Sequence, residues 1–411
     1  MPETLIVLSA ILVTAFLLNT ISRKIGFPSV VGQILAGMIL GIPVLKAFLF
    51  NSESLLAVDL LSTFGIVFLL FLAGLEIDIE KIKETTRDSA LVALGSTAAP
   101  FILGFTFLTT MGYSVTAATV FGGALAVTAG GTIVGVLMDL NVLNTRLGAI
   151  FVAAGTIDDL LEVILLSIIA MLIHGESILE VAYLPLQLLA FVAISFALFK
   201  TMSKILDYFK RNGGDVELFS IVVILVISMA ALSEILEIGY LIGAIMAGFL
   251  LQISMKRMGR KSEKEIVKTT RLITMAFVVP FFFANIGLNF DIDLVLANPA
   301  LMIAATVMAI VGAIGGVILV KPFSRLSLRQ LHVIGWAMSS KGSVELVVAL
   351  LARKYGLVTP EIFSALVGMA IITTLAFPFV LEREIKRNPS IMNAVSAKHK
   401  QSTNPHRSIP N

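Results

Sequence analysis

Apolar residues run through this chain in stretches of about 20, divided by short charged or Gly/Pro-bearing breaks. In lipid a helix satisfies its own backbone N–H and C=O groups, so stretches of this length predict membrane-spanning helices. Thirteen spans are predicted, beginning near Thr4, Pro28, Leu60, Ser89, Val115, Leu147, Leu179, Val216, Gly239, Leu272, Leu301, Leu331 and Pro360. The expected fold class is an all-α polytopic membrane protein.

Positive charge tests that count. With the N-terminus outside, alternate loops collect Arg23 and Lys24, then Lys81, Lys83 and Arg87, then Arg146, then Lys200, Lys204, Lys210 and Arg211. The basic run Lys256 to Arg271 follows, then Lys321, Arg325 and Arg329, and the tail from Arg383 to Arg407. Of the 30 Lys and Arg, only Lys46, Arg353 and Lys354 fall outside, with Lys341 inside a span. Cytoplasmic loops carry such an excess, so thirteen spans with a cytoplasmic C-terminus are expected in a cell membrane. The run Lys256 to Arg271 is read as topology, with lipid or partner binding as the other reading.

The pattern also repeats. Val31-Gly-Gln-Ile-Leu-Ala-Gly-Met-Ile-Leu40 returns as Ile242-Gly-Ala-Ile-Met-Ala-Gly-Phe-Leu-Leu251, and Phe71-Leu-Ala-Gly-Leu-Glu-Ile-Asp78 returns loosely as Ala284-Asn-Ile-Gly-Leu-Asn-Phe-Asp291. At the same spacing Gly130 to Val134 aligns with Lys341 to Glu345. An odd number of spans separates the copies, so they cross in opposite directions, as in the inverted repeats of many secondary transporters. The expected organisation is a transmembrane domain over 1–385, with halves at about 28–173 and 239–381, and a short polar tail over 386–411.

Against this background a few polar positions carry the chemistry. Gly155-Thr-Ile-Asp-Asp-Leu-Leu-Glu162 places three carboxylates in a run that is otherwise apolar from Leu147 to Ile173. A carboxylate at mid-span costs about 2.5–3.5 kcal/mol on insertion scales, so Asp158 and Asp159 are read as an ion or proton path, against a structural ion pair. Buried neighbours of like charge share their titration. A hard monovalent cation takes oxygen ligands, and its competition with the proton for one site gives exchange.

Span five carries Thr128-Ala-Gly-Gly-Thr132 and span twelve, at the matched position, Ser339-Ser-Lys-Gly-Ser343. Such residues loosen a helix, and unwound backbone is tolerated at membrane depth where it lines a cavity; close helix packing is the other reading. Glu162, one turn from Asp158, is open between joining the site, lining the path and a structural contact. Lys341 is read as neutralising helix ends or pairing with a carboxylate. Gln33, Asn285, Asn289 and Glu345 are read as polar contacts between helices, with Asn285 also a candidate to line the site. Asp158 and Asp159 are thus the candidate ion-binding, proton-carrying pair, supported by Thr128, Thr132, Asn285, Glu162, Lys341, Ser343 and Glu345.

Composition narrows the remaining classes. Hydrophobic residues make up 57% and charged residues 14%, with a mean hydropathy of +0.99, which excludes a water-soluble globule. Zero cysteines exclude disulfides and thiolate chemistry, and the scattered His174, His332, His399 and His406 argue against a histidine metal centre. The pI near 9.0 is assigned to topology and not to nucleic acid. No cleavable signal peptide is expected. No cofactor is implied beyond transported sodium and protons.

Leu70-Phe-Leu-Ala-Gly-Leu-Glu-Ile-Asp78, Ile157-Asp-Asp159 and Pro280-Phe-Phe-Phe-Ala-Asn-Ile-Gly-Leu-Asn-Phe-Asp291 together resemble the monovalent cation:proton antiporter family in its sodium/proton exchanger branch, over about Ile21 to Leu381. That resemblance implies a thirteen-span homodimer, with a dimerisation domain and a mobile core in which two broken helices cross beside the aspartates. It makes Asp159 the main ligand and Asp158 its partner, and it places Thr128 and Thr132 in the first broken helix. Lys341 to Ser343 fall where the family usually has Arg-Gly-Glu; here Ser343 replaces the Glu, and Glu345 stands two residues on. Electrogenic relatives with paired aspartates usually carry a mid-span lysine in the eleventh helix, whereas Val311-Gly-Ala-Ile-Gly-Gly316 has none and Lys321 lies nearer the cytoplasmic end. The potassium-efflux branch often has Gln-Asp and a nucleotide-binding domain, against Asp-Asp and a short polar stretch after Glu382 here.

The reading that follows is a sodium (or lithium)/proton antiporter, not an enzyme, with membrane lipid and a second copy as partners. A potassium/proton antiporter on the same fold is the alternative, and a sodium-coupled organic-solute symporter the next. An intramembrane aspartyl protease needs aspartates facing each other across a scissile bond, which adjacent residues on one helix do not provide.

Overall fold

The computed structural model describes residues 2–25, 27–76, 87–128, 133, 137, 142, 145–174, 189–201, 215–236, 239–258, 260–342, 344–387 and 391. In chain order the helices are α1 (Pro2–Lys24), α2 (Ser29–Leu40), α3 (Pro43–Leu49), α4 (Ser52–Glu76), α5 (Arg87–Thr110), α6 (Val115–Ala126) and α7 (Arg146–His174). Then come α8 (Leu189–Thr201), α9 (Asp215–Ile235), α10 (Tyr240–Met258), α11 (Arg260–Ile273), a π turn (Thr274–Val278), α12 (Val279–Asn289) and α13 (Ile292–Ala297). The chain closes with α14 (Pro299–Leu319), α15 (Leu328–Met338), α16 (Val344–Lys354) and α17 (Pro360–Arg387). No strand occurs among the described residues.

Among the described residues seven helical stretches are long and apolar enough to cross a membrane, one of them Val267–Asn289 running from α11 through the π turn into α12, or eight if α2 and α3, bent by 79° at their junction, count as one span. Of the predicted spans, those near Val115 and Leu331 begin with the shorter helices α6 and α15, which stop at Ala126 and Met338. The span expected near Leu179 begins on residues outside those described. Helix α4 begins at Ser52, ahead of the expected Leu60. Asn51 and Ser54 cap it reciprocally, each backbone N–H donating to the other's side-chain oxygen, at 2.9 and 2.8 Å. Its half-exposed Asp59 is paired with Lys354 at 2.6 Å, so a charged residue is carried in the helix without being buried alone.

The chain forms two compact units, each drawn from both ends of the sequence. The first takes residues 1–78, 162–302 and 346–368. In it the small residues of the repeat motifs set the packing: a Cβ at Gly37 would lie 2.0 Å from the Ala284 carbonyl oxygen, and one at Gly287 2.1 Å from that of Ile34. The other pair of copies does the same, Gly248 facing the Phe71 carbonyl and Gly74 that of Ile245, both at 2.1 Å. Only hydrogen fits at these four positions, so α2 meets α12, and α10 meets α4, backbone to backbone. Val7, Ile11, Leu40, Val58, Phe281 and Leu288 fill the space beside the first crossing.

The second unit takes residues 79–161, 303–345 and 369–411. Its core gathers Val92, Leu147, Phe151, Val317, Ile334, Met338, Phe377 and Leu381. Helix α14 lies against α5 through Gly316, where a Cβ would sit 1.9 Å from the Gly95 carbonyl oxygen, and through Gly312, 2.8 Å from Pro100 Cα. Ser327 and Gln330 form a capping box that starts α15.

Candidate functional site

Helix α6 begins on a Ser114 N-cap and ends at Ala126, where Val127 turns to an extended backbone (φ −59°, ψ 141°) and Thr128 follows outside helix. Facing it, α15 ends at Met338, and Ser340, Lys341 and Gly342 are non-helical before α16 begins at Val344. Helix ends leave carbonyls without intrahelical donors, and here each end is closed by a side chain from the other. Lys341 Nζ donates to the Val127 carbonyl at 2.7 Å and lies 3.5 Å from that of Ala126, while Thr128 Oγ1 donates to the Met338 carbonyl at 3.2 Å. The Lys341 carbonyl in turn accepts from Thr374 Oγ1 on α17. A cation at a helix C-terminus also opposes the macrodipole, and Lys341 is fully buried.

Asp158 is buried (2% exposed) on α7, and its Oδ1 accepts from Thr97 Oγ1 of α5 at 2.5 Å. Its other oxygen, Oδ2, is buried without a hydrogen-bond partner among the described residues. Thr128 and the Lys341 charge act on the same carboxylate. Ser340 Oγ and both Glu345 oxygens are likewise buried without hydrogen-bond partners among the described residues. Three polar side chains with unused capacity, in a unit whose core is otherwise apolar, are the chemical signature of this region.

Of the residues singled out in the sequence, Asp158, Thr128, Lys341 and Glu345 therefore fall in the second unit, the first three linked in one electrostatic group. Glu162 is buried one turn further along α7. Asn285 belongs to the first unit, where its side-chain and backbone oxygens accept from Asn289 Nδ2 at 3.0 and 2.9 Å, and Gln33 is buried on α2. Thr132 and Ser343 lie outside the described residues, as does the Asp159 side chain, although its backbone is part of α7. Thr97 was missed: its Oγ1 also lies 2.8 Å from the Ala93 carbonyl four residues back, the place a threonine hydroxyl on an apolar helix usually donates its single proton, so in the sequence it looks like any other.

The stretch that lacks the mid-span lysine lies in α14. Gly312 and Gly316 press directly on the backbone of α5, so neither position accepts a side chain, and Lys321 is bound at the helix end, donating to the Leu326 carbonyl at 2.7 Å.

Among the described residues, then, the protein is all-helical, with helices apolar enough to cross a membrane, and it holds a buried carboxylate on α7 and a buried lysine at two facing helix ends. The solved structure of the sodium proton antiporter MjNhaP1 from Methanocaldococcus jannaschii shares the fold, with a TM-score of 0.69 at 18% identity, covering 93% of this chain and 97% of that one. The Na(+)/H(+)-K(+) antiporter GerN of Bacillus cereus is 29% identical over 387 residues (94% of this chain, 97% of the relative), and the probable Na(+)/H(+) antiporter GerT of the same organism is 30% identical over 360 (88% and 93%). The family model for the transmembrane sodium/hydrogen exchanger matches residues 9–383, and the chain belongs to that family.

Proposed function

We propose that the protein is a secondary active transporter that exchanges sodium, or lithium, for protons, with the two competing for Asp158 and Asp159. The observation that carries this reading is the half-satisfied Asp158: a buried carboxylate held by Thr97 on one oxygen, with Thr128 and Lys341 nearby, and left on the other without a hydrogen bond among the described residues. A buried carboxylate oxygen in that state is stabilised by a proton or by a cation, and one site taking either in turn is an exchanger. The lysine charge beside it is directed at the Val127 carbonyl, which supports a role in holding the helix ends.

Around this site the reading is of thirteen spans in an inverted repeat. The reciprocal contacts of the two motif copies and of the two helix ends support it, with α6 and α15–α16 as halves of a discontinuous crossing pair. Alternating access exposes the carboxylates to each side in turn. The protein works as a homodimer in the cell membrane, with its N-terminus outside and its C-terminus cytoplasmic. GerN, by its name, moves potassium as well as sodium and protons, so potassium/proton antiport on the same site is the second reading.

The test is proton movement in proteoliposomes on addition of sodium, lithium or potassium. Sodium- and lithium-driven exchange in the wild type, lost in Asp159→Asn and in Asp158→Asn, is expected. Full exchange in both variants would refute the site, and a response to potassium alone would transfer the reading to the second cation. Charge movement per sodium on a solid-supported membrane fixes the stoichiometry.

A further inference from the structure

In the second unit the C-terminal end of α14, the N-terminal turns of α15 and the C-terminal end of α17 line an open cavity of about 710 Å³. Its polar lining is Arg329, Arg387, His332 and Glu384, and its apolar lining includes Ile318 and Leu328. The volume is that of a small-molecule site. The walls are fixed: the Ser327–Gln330 capping box holds the start of α15, and Gln330 Nε2 donates to the Ile391 carbonyl at 3.2 Å, tying the chain beyond α17 back to α15. Trp336 Nε1 donates to His332 Nε2 at 3.1 Å, which leaves Nδ1 as the proton-bearing nitrogen of that ring.

Neither guanidinium has an ion-pair partner among the described residues, and two of them against the single Glu384 leave the cavity net positive. An arginine pair presents planar donors that match a phosphate. The surroundings are those of a membrane boundary: Leu319, Phe323 and Leu328, all exposed large apolar side chains, stand at the same helix ends. A ligand that satisfies both halves of the lining carries a phosphate at one end and hydrocarbon at the other. The chain's own segment 392–411 has Lys398, Lys400 and Arg407 and no Asp or Glu, so its side chains offer the arginines no counter-charge.

We propose that this cavity binds the headgroup of an anionic membrane phospholipid, with Arg329 and Arg387 on the phosphate and an acyl chain along Ile318 and Leu328. The site is separate from Asp158, so lipid binding and ion exchange are read independently. The full chain, purified in detergent, is titrated with phosphatidylglycerol in mixed micelles. Diacylglycerol, which lacks the phosphate, and inorganic phosphate, which lacks the chains, serve as comparison ligands. Phosphatidylglycerol is expected to bind the wild type, and Arg329→Gln/Arg387→Gln to weaken it about 30-fold. Arg383→Gln, an exposed arginine of α17 outside the lining, is expected to leave it unchanged. Glu384→Gln removes the opposing charge and should tighten binding about fivefold, which keeps the proposal testable if the double variant fails to fold. Equal affinity in wild type and double variant, an equal loss in Arg383→Gln, or no tightening in Glu384→Gln overturns the proposal. Inorganic phosphate that competes as well as the lipid, or diacylglycerol that binds as tightly, overturns the lipid headgroup as the ligand.

Discussion

The Lys341 ammonium lies 2.7 Å from the Val127 carbonyl oxygen, so a positive charge from one non-helical stretch closes the end of the helix that leads into the other. Thr128 returns the contact to Met338. The two stretches are thereby held by each other and not by a helix ladder of their own.

Replacing Lys341 by Met should therefore cost more than its charge. It leaves the Val127 carbonyl buried without a donor, about 1–3 kcal/mol, and a lower melting temperature in detergent is expected. Lys341→Arg keeps the cation and should recover most of the loss. A melting curve for Lys341→Met that overlays the wild type would remove the lysine from any capping role.

Thr97→Val keeps the shape of the side chain and removes the donor to Asp158 Oδ1. A hydrogen bond to a charged group contributes about 1.5–3 kcal/mol, so half-saturation for sodium should rise by roughly tenfold or more, with Thr97→Ser close to wild type. Initial rates across a sodium series in proteoliposomes read this directly. An unchanged half-saturation would mean that Thr97 only packs.

Gly315 and Gly316 are neighbours on α14 with opposite surroundings. A Cβ at Gly316 would lie 1.9 Å from the Gly95 carbonyl oxygen, whereas at Gly315 nothing lies within 4 Å. Gly316→Ala should destabilise by about 1–3 kcal/mol through overpacking. Gly315→Ala should be neutral or stabilise by up to about 1 kcal/mol, the helix-propensity difference. Unfolding of the two variants in parallel checks the sign at each position.

Lys354 and Asp59 form a close pair at 2.6 Å, yet both side chains are about two-fifths exposed (41% and 42%). Lys354→Ala should change stability by no more than about 1 kcal/mol, and less still at high salt. A large loss would mean that the pair is shielded from water by something beyond the single chain.

Much of this was legible in the chain itself because membrane burial restricts what a sequence can say. Asp158, Thr128 and Lys341 are conspicuous as polar residues among aliphatic ones, and their matched offsets pointed to helix ends that meet. Thr97 carried no such mark, since a threonine that satisfies itself on its own helix is inexpensive in lipid, and only the path of α5 brings it to Asp158. Asn285, read as a polar contact between helices and as a candidate to line the site, accepts from Asn289 one turn along the same helix. Helix α4 starts eight residues ahead of the expected Leu60 and includes Asp59, which is paired with Lys354 far along the chain. The missing lysine of α14 was visible as a gap, but that Gly312 and Gly316 exclude any side chain follows only from where α5 runs.

The interlocked glycines of the first unit carry a consequence for biogenesis. Gly37 finds its counterpart at Ala284 and Gly74 at Ile245, so the motifs of the early chain have no native surface to close against until the later chain has been inserted. Helices leaving the ribosome first must wait in the bilayer, with their small-residue faces covered by lipid. Truncation after the first half should then yield a product that inserts but is degraded, and co-expressing the second half as a separate polypeptide should rescue it.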